Sequence, residues 1–181
     1  MIATLILKNK KICSLLAAAV VALHIAWDHL DGTVMTHYLL AREDLPGISN
    51  WWGLLSIPLL SLLLISISQK LQQIESTAYD LTTLSRGFVF ALLFGAGIAL
   101  LWEFDLAHIL RFVIWAPLLL AIFVHIHHPL YLLAFVLGTM FTFGGVLPIG
   151  IATVLLLGGL VIWTLFRILF PFLIKKIMAV V

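Results

Sequence analysis

Charged residues are scarce in this chain: they make up 10% of its 181 residues, whereas hydrophobic residues make up 64%. Soluble domains carry about 25% charged and roughly 45–50% apolar residues. A water-soluble fold of this composition would expose large apolar patches, which soluble proteins rarely tolerate. The scarcity of charge therefore excludes an ordinary soluble domain and predicts one transmembrane domain over residues 1–181.

Cysteine and the common enzyme motifs are also nearly or wholly missing. Cys13 is the one cysteine, so no disulfide can form within the chain. The sequence has no G-x-S-x-G elbow, no H-E-x-x-H and no G-x-x-x-x-G-K, which argues against serine hydrolases, zinc proteases of that type and P-loop proteins. A net charge of +2 gives no basis for nucleic-acid binding. The lack of cysteine pairs and of a eukaryotic targeting signal favours a bacterial inner membrane.

Long apolar runs are what the sequence does contain. A helix needs about 20 mostly apolar residues to cross roughly 30 Å of hydrocarbon. Six runs approach or reach this length: Ile12–His29, Trp51–Ser68, Gly87–Glu103, His108–His125, Leu130–Val146 and Ile149–Phe170. The predicted fold class is therefore all-α, a polytopic bundle of six transmembrane helices in contact with the lipid bilayer.

The distribution of basic residues orients the predicted bundle. If six spans alternate from a cytoplasmic N-terminus, only Arg42 and Arg111 of the ten lysines and arginines lie outside. Cytoplasmic segments of membrane proteins carry this kind of basic excess. Four tryptophans then fall at the outer boundary, where amphipathic rings prefer to sit: Trp27, Trp51, Trp52 and Trp102. Both patterns predict that the N- and C-termini are cytoplasmic.

Prolines and small residues predict some local features. Pro58 and Pro117 lie inside the second and fourth spans, so we expect kinks there. The outer segment Val34–Arg42 is expected to form a short interfacial helix. Small residues let membrane helices approach closely. They occur as a predicted packing face on the first span and as glycines in the third and sixth: Ala18, Ala22, Ala26, Gly95, Gly97, Gly158 and Gly159.

Ionisable residues at the outer end of the bundle suggest a metal site. His24 and Asp28 are four residues apart and so share one face of the first helix, with His29 beside them. Such residues are costly at membrane depth and often functional. The connection between the third and fourth spans adds carboxylates and an imidazole on the same side: Glu103, Asp105 and His108. This His/carboxylate mixture is one that zinc, manganese or iron accepts. It predicts metal binding, with a metal-dependent hydrolase as the matching reaction class.

The other four histidines are secondary candidates. His37 lies in the outer loop, and His125, His127 and His128 form a turn on the opposite side. That turn is dense enough to bind a metal weakly, or to serve only as a polar turn before Pro129. Haem ligation is disfavoured, because only His24 lies within a span at useful depth.

A transport or assembly subunit is the alternative function. In this interpretation Ala18, Ala22 and Ala26 form a docking face for another membrane protein or for a second copy of the chain. In length and predicted span number, the chain resembles the substrate-binding subunits of energy-coupling-factor transporters. That resemblance implies a small six-helix protein that delivers its substrate to a partner.

Overall fold

The computed structural model describes residues 2–30, 32, 34–38, 42, 44, 46–74 and 80–171. Several charged residues lie outside the described residues: Asp31, Glu43, Glu75, Lys175 and Lys176. The described elements are, in chain order, α1 (Ile2–Lys8), α2 (Lys10–Leu30), β1 (Thr36–Tyr38), β2 (Gly47–Ser49), a 3₁₀ turn (Asn50–Trp52), α3 (Gly53–Ile74), α4 (Leu81–Glu103), α5 (Ala107–Val113), α6 (Ala116–Leu120), α7 (Pro129–Phe143), α8 (Leu147–Trp163) and a π-helical turn (Thr164–Leu169).

Within the described ranges, four helical segments are long and apolar enough to cross a membrane: Lys10–Leu30, Asn50–Gln73, Leu81–Glu103 and Leu147–Leu169. Two further apolar segments, Ala107–Leu120 and Pro129–Phe143, are shorter. Most large apolar side chains on the long helices face outward, as lipid contact requires. The structure thus confirms a helical, multi-pass membrane protein.

Proline affects the two predicted kink sites differently. α3 continues without interruption through Pro58, whose carbonyl oxygen accepts a 2.8 Å hydrogen bond from Ser14 Oγ. Around Pro117 the helix is broken: α5 ends at Val113 and α6 begins at Ala116, with proline in its first turn. Proline fits the first turn of a helix, where its missing N–H leaves no internal bond unmade.

One of the two short apolar segments, α7, forms the centre of the bundle. α7 packs against α3, α4 and α8. Eight of its residues are buried: Leu130, Leu132, Leu133, Ala134, Phe135, Val136, Thr139 and Met140. A helix that is apolar on all sides belongs in a core. Its 15 residues extend about 22 Å, which is less than the roughly 30 Å hydrocarbon thickness. One turn precedes α7 and another follows it.

Glycines bring α4 and α7 together. A Cβ at Gly95 would lie 2.6 Å from the carbonyl oxygen of Phe135 and 3.2 Å from Gly138 Cα. A Cβ at Gly138 would lie 2.9 Å from the backbone nitrogen of Ala96 and would collide with the carbonyl oxygen of Leu92. The two backbones are therefore in direct contact. Gly97, by contrast, has open space where its Cβ would be.

The alanine repeat is not the face of α2 that packs against the other helices of this chain. α2 packs chiefly on α3, through the buried residues Ser14, Ala17, Val21 and Ile25. Ala18 is half-buried, and Ala22 and Ala26 are exposed. A docking role for the alanine repeat therefore stays a prediction about a partner.

One feature near the end of the bundle differs from expectation, and another was not predicted. Thr36–Tyr38, inside the expected interfacial helix, instead forms an antiparallel strand pair with Gly47–Ser49, in which His37 is opposite Ile48. β-Branched and aromatic residues flank His37, which suits a strand. The N-terminal residues before the first span are helical, and the buried Ala3 donates its backbone N–H to Ser85 Oγ at 2.9 Å.

Replacing Gly138 with alanine should destabilise the protein by about 1–3 kcal/mol, because backbone atoms opposite it cannot move aside as a side chain could. Gly97→Ala is the matched control: it adds the same methyl group to a helix where nothing is in the way. Helix propensity alone favours alanine by about 1 kcal/mol. Reversible unfolding in detergent micelles measures both changes, and equal stabilities of the two variants would contradict the close packing of α4 and α7.

Candidate functional site

The last turns of α2 place the first two members of a polar cluster. His24 Nδ1 lies 3.8 Å from Asp28 Oδ1, and their side chains are only 16% and 11% exposed. The i, i+4 spacing stacks them on one helix face. The His24 ring also makes an edge-to-face contact with Phe141 of α7, with ring centroids 5.1 Å apart. This contact and the carboxylate together orient the imidazole.

Asn50 joins the cluster from the turn that precedes α3. Its side-chain Nδ2 donates a 3.2 Å hydrogen bond to Asp28 Oδ2, and its backbone N–H donates to the carbonyl oxygen of Met35 at 3.0 Å. Asn50 is 3% exposed. Because the amide nitrogen faces Asp28, the amide oxygen Oδ1 is left to face the interior of the cluster.

His37, on β1, is the fourth member. Burial is the largest influence on the pKa of His37 and lowers it, and the nearby His24 lowers it further. The Asp28 carboxylate and a side-chain hydrogen bond with Asn50 act in the opposite direction and raise it. The net direction is downward, so the neutral imidazole is favoured near pH 7. A neutral imidazole offers a lone pair and can bind a metal ion.

A glycine turn closes the cluster from below. Gly144, directly after α7, adopts a left-handed φ of +72°, which glycine alone adopts without strain. A Cβ there would collide with Asn50 Oδ1 and lie 3.0 Å from His37 Cδ2. The next residue, Gly145, contacts Gly53 and accepts a 3.0 Å hydrogen bond from Ser56 Oγ. The absence of side chains at this turn lets α2, α3 and the strand pair meet over the end of α7.

Three buried polar atoms in this cluster make no hydrogen bond of standard geometry among the described residues: His24 Nε2, His37 Nε2 and Asn50 Oδ1. The Asn50 side chain nevertheless lies close enough to His37 to raise its pKa through a weaker hydrogen bond. His24 and Asn50, but not His37, line a cavity of about 10 Å³, together with Val21, Ile25, Met140, Gly144 and Gly145. That volume is about what one small molecule such as water occupies. Buried polar groups almost always have partners, so these atoms are the candidate contacts for a bound water or ion.

The remaining residues of the predicted outer site make no contact with the cluster that the described part of the chain shows. His29, Glu103, Asp105 and His108 are all exposed. No hydrogen bond or ion pair joins them to His24 or Asp28 in the part of the chain that the structure describes. Over the same residues, no three histidine, cysteine, aspartate or glutamate side chains are arranged as a metal-binding group. Any metal at the cluster would therefore need the Asn50 amide oxygen as a further ligand.

Sequence reasoning found His24 and Asp28, ranked His37 as secondary and did not include Asn50 or Gly144. The first pair is local and follows from helix periodicity. The sequence marks Asn50 only weakly as a site residue: it is an uncharged polar residue immediately before Trp51 and Trp52 at the predicted membrane boundary. Its role depends on the contact between α2 and the start of α3, which no local pattern shows.

The three histidines at the other end of α7 form a separate group. The His125 ring lies on Trp163, with centroids 3.5 Å apart, and 5.0 Å from the His127 ring. His128 caps α7: its Nδ1 accepts a 3.2 Å hydrogen bond from the backbone N–H of Leu130. Burial, and then the neighbouring His127, lower the pKa of His128 to about 4. His128 is thus a structural cap that has to be neutral.

No protein-family model, curated protein or solved structure matches the chain. The resemblance to energy-coupling-factor subunits in length and span number therefore gains no support from relatives. Function has to be argued from the geometry of the chain itself.

The cap at α7 predicts that stability depends on pH. The pKa of His128 is lower in the folded protein than the ordinary 6.5, so its contribution is complete above about pH 6.5 and is lost as the pH falls through 4. Its side chain is 2% exposed, and the pKa shift corresponds to about 3 kcal/mol of stability.

His128→Asn keeps a capping acceptor that does not titrate, so most of this loss of stability at low pH should disappear. Unfolding in micelles from pH 7 to 4 measures it. His29→Asn, at an exposed histidine, should behave like wild type, and an unchanged pH profile in His128→Asn would contradict the assignment.

Proposed function

We propose that this membrane protein binds one divalent metal ion in the cluster formed by His24, Asp28, His37 and Asn50. The observation that carries the proposal is a set of three buried polar atoms without hydrogen bonds of standard geometry among the described residues, two of which belong to residues lining a cavity about the size of one water molecule. Each unsatisfied buried group costs about 1–3 kcal/mol. A single cation would compensate all three.

The donor set supports a metal with mixed nitrogen and oxygen ligands. Two imidazole nitrogens and one amide oxygen suit zinc, manganese or iron. Asp28 lies beside His24 Nδ1 and accepts from Asn50 Nδ2, the position of an outer carboxylate that orients the ligands. With Nδ1 directed to the carboxylate, His24 presents Nε2 to the metal.

Hydrolysis is the reaction class that such a centre supports. Three protein ligands leave a coordination position for water, and a bound zinc ion lowers the pKa of that water to about 7. We therefore propose a metal-dependent membrane hydrolase that acts at the outer end of the bundle. The alternative is a subunit of a transport or assembly complex, supported by the exposed Ala22 and Ala26 of α2. The metal measurement below separates the two.

We further propose six membrane crossings with both termini in the cytoplasm of a bacterial inner membrane. Besides the four long helices, α5 with α6 and then α7 would supply the two short crossings. Their shortness is compatible with crossing because local thinning and surrounding protein compensate for mismatch. The basic residue distribution supports the cytoplasmic N-terminus.

Purified protein should retain about one equivalent of zinc, manganese or iron, and His24→Ala and His37→Ala should lose most of it. Elemental mass spectrometry on detergent-purified protein, prepared without chelators, gives the stoichiometry. His108→Ala is the matched control because it removes an exposed imidazole on the same predicted side. It should retain the metal.

Two results would contradict the metal site. One is wild-type protein that holds no metal even after incubation with zinc and dialysis. The other is His37→Ala with the same metal content as His108→Ala. Because His37 lies on a two-stranded hairpin outside the helical bundle, His37→Ala should keep the helical fold. Size-exclusion chromatography and helix content by circular dichroism check this.

Cysteine labelling tests the topology. In a Cys13→Ser background, Arg42→Cys and Asp105→Cys should react with a membrane-impermeant maleimide in intact cells. Lys70→Cys and Val124→Cys should react only after permeabilisation. If Val124→Cys reacts from outside like Asp105→Cys, α5 and α6 do not cross the membrane, and six spans are wrong.

A further inference from the structure

A large cavity lies away from the polar cluster, between α4, α6, α7 and α8. Its volume is about 520 Å³, within the roughly 300–1,000 Å³ range of ligand-binding pockets. Most of its wall is aliphatic or aromatic: Phe90, Ala91, Phe94, Pro117, Leu120 and Phe135 are among the lining residues. An apolar cavity of this size does not hold ordered water. Its walls would gain dispersion contacts from a hydrocarbon occupant.

The walls of this cavity are held by close contacts. A Cβ at Gly159 of α8 would lie 2.9 Å from the Ile126 side chain, and one at Gly158 would lie 3.0 Å from Leu118. On the other side, a Cβ at Gly87 of α4 would collide with the Tyr131 ring of α7. Because the helices touch on both sides of it, the cavity is a built feature of the bundle.

Polar residues line only one end of the cavity. Thr83 and Arg86 come from the first turns of α4, three residues apart and so on one helix face. His125 and Tyr131 come from the turn before α7 and its first turn. The proposed topology places this end at the cytoplasmic surface. The apolar remainder extends from there toward the bundle centre, as an acyl chain extends from its headgroup.

Arg86 supplies the charge at this end. It forms no ion pair with any residue in the described ranges, and no acidic side chain lines the cavity. Arginine presents several N–H donors in a planar fork that matches phosphate oxygens. A hydroxyl and an imidazole beside it, from Thr83 and His125, extend the set of groups that can bind a phosphate.

We propose that this cavity is a binding site for an anionic phospholipid, with one acyl chain between α4, α6, α7 and α8 and its phosphate on Arg86. Charge complementarity at the mouth and the apolar wall behind it together select this occupant. This cavity is separate from the polar cluster in which a metal ion is proposed to bind. The two share no lining residue and lie at opposite ends of α7.

Lipid retention in mild detergent tests the site. Protein reconstituted with equal dioleoyl phosphatidylglycerol and dioleoyl phosphatidylcholine, then repurified, should keep about one phosphatidylglycerol per chain by lipid mass spectrometry. Arg86→Gln should reduce the phosphatidylglycerol preference at least about fivefold, a loss typical of one charge-assisted contact. Arg111→Gln is the matched control, at an exposed arginine that does not line the cavity, and should keep the preference.

The acyl-chain position is tested separately. Ala152 is buried on the cavity wall, so Ala152→Phe should fill the space and lower retention of both lipids. Ala19→Phe, on an exposed position of α2, should not. Retention in Ala152→Phe equal to that in Ala19→Phe would overturn the proposal, as would equal preferences in Arg86→Gln and Arg111→Gln.

Photocrosslinking keeps the test decisive if a variant fails to fold. Wild-type protein is reconstituted with phosphatidylglycerol that carries a diazirine on its acyl chain. Labelling should concentrate on peptides that contain Phe94, Leu120 and Leu155 from the cavity wall. Labelling spread evenly over the exposed helix faces would show that lipid contacts only the outer surface, which would overturn the proposal.

Discussion

The structure depends on the direct backbone contact between α4 and α7, which Gly95 and Gly138 make possible. In a membrane, helices gain little hydrophobic free energy from each other, so close packing has to supply the association. The glycine contact holds α7 against α4, while α3 and α8 pack on it from other directions. The surrounding protein thereby buries a helix too short to span the hydrocarbon comfortably alone.

The shortness of α7 determines where polar residues are placed. A buried turn of Gly144 and Gly145 follows it, and the turn from His125 to His128, in which His128 is buried and His125 is exposed, precedes it. Backbone groups of such turns must be satisfied within the protein. Ser56 accordingly donates to Gly145, and His128 caps the first turn of α7. The two proposed binding sites adjoin these turns, where buried space and polar groups coincide.

The two sites differ in the physics of recognition. At the His24 cluster, the proposed cation site rests on buried polar atoms that lack hydrogen bonds of standard geometry among the described residues. At the large cavity, the apolar wall gives a non-directional preference for hydrocarbon, and one guanidinium adds selectivity for an anion. A metal centre at one end and an anionic lipid at the other would place a reactive group and a lipid-binding pocket in a single small bundle.

Composition and hydrophobic runs by themselves determined that this chain is a multi-pass helical membrane protein. In lipid, backbone N–H and C=O groups must form hydrogen bonds within the protein, and long apolar helices form them within each segment. The spacing of His24 and Asp28 likewise determined one pair of the cluster, since helix periodicity is local. Only the tertiary structure decided that His37 and Asn50 approach that pair, whereas Glu103 and His108 are exposed and make no hydrogen bond or ion pair with it among the described residues. Such partners come from elements distant in the chain, and their meeting depends on side-chain-free contacts at Gly53, Gly144 and Gly145 that no periodicity encodes.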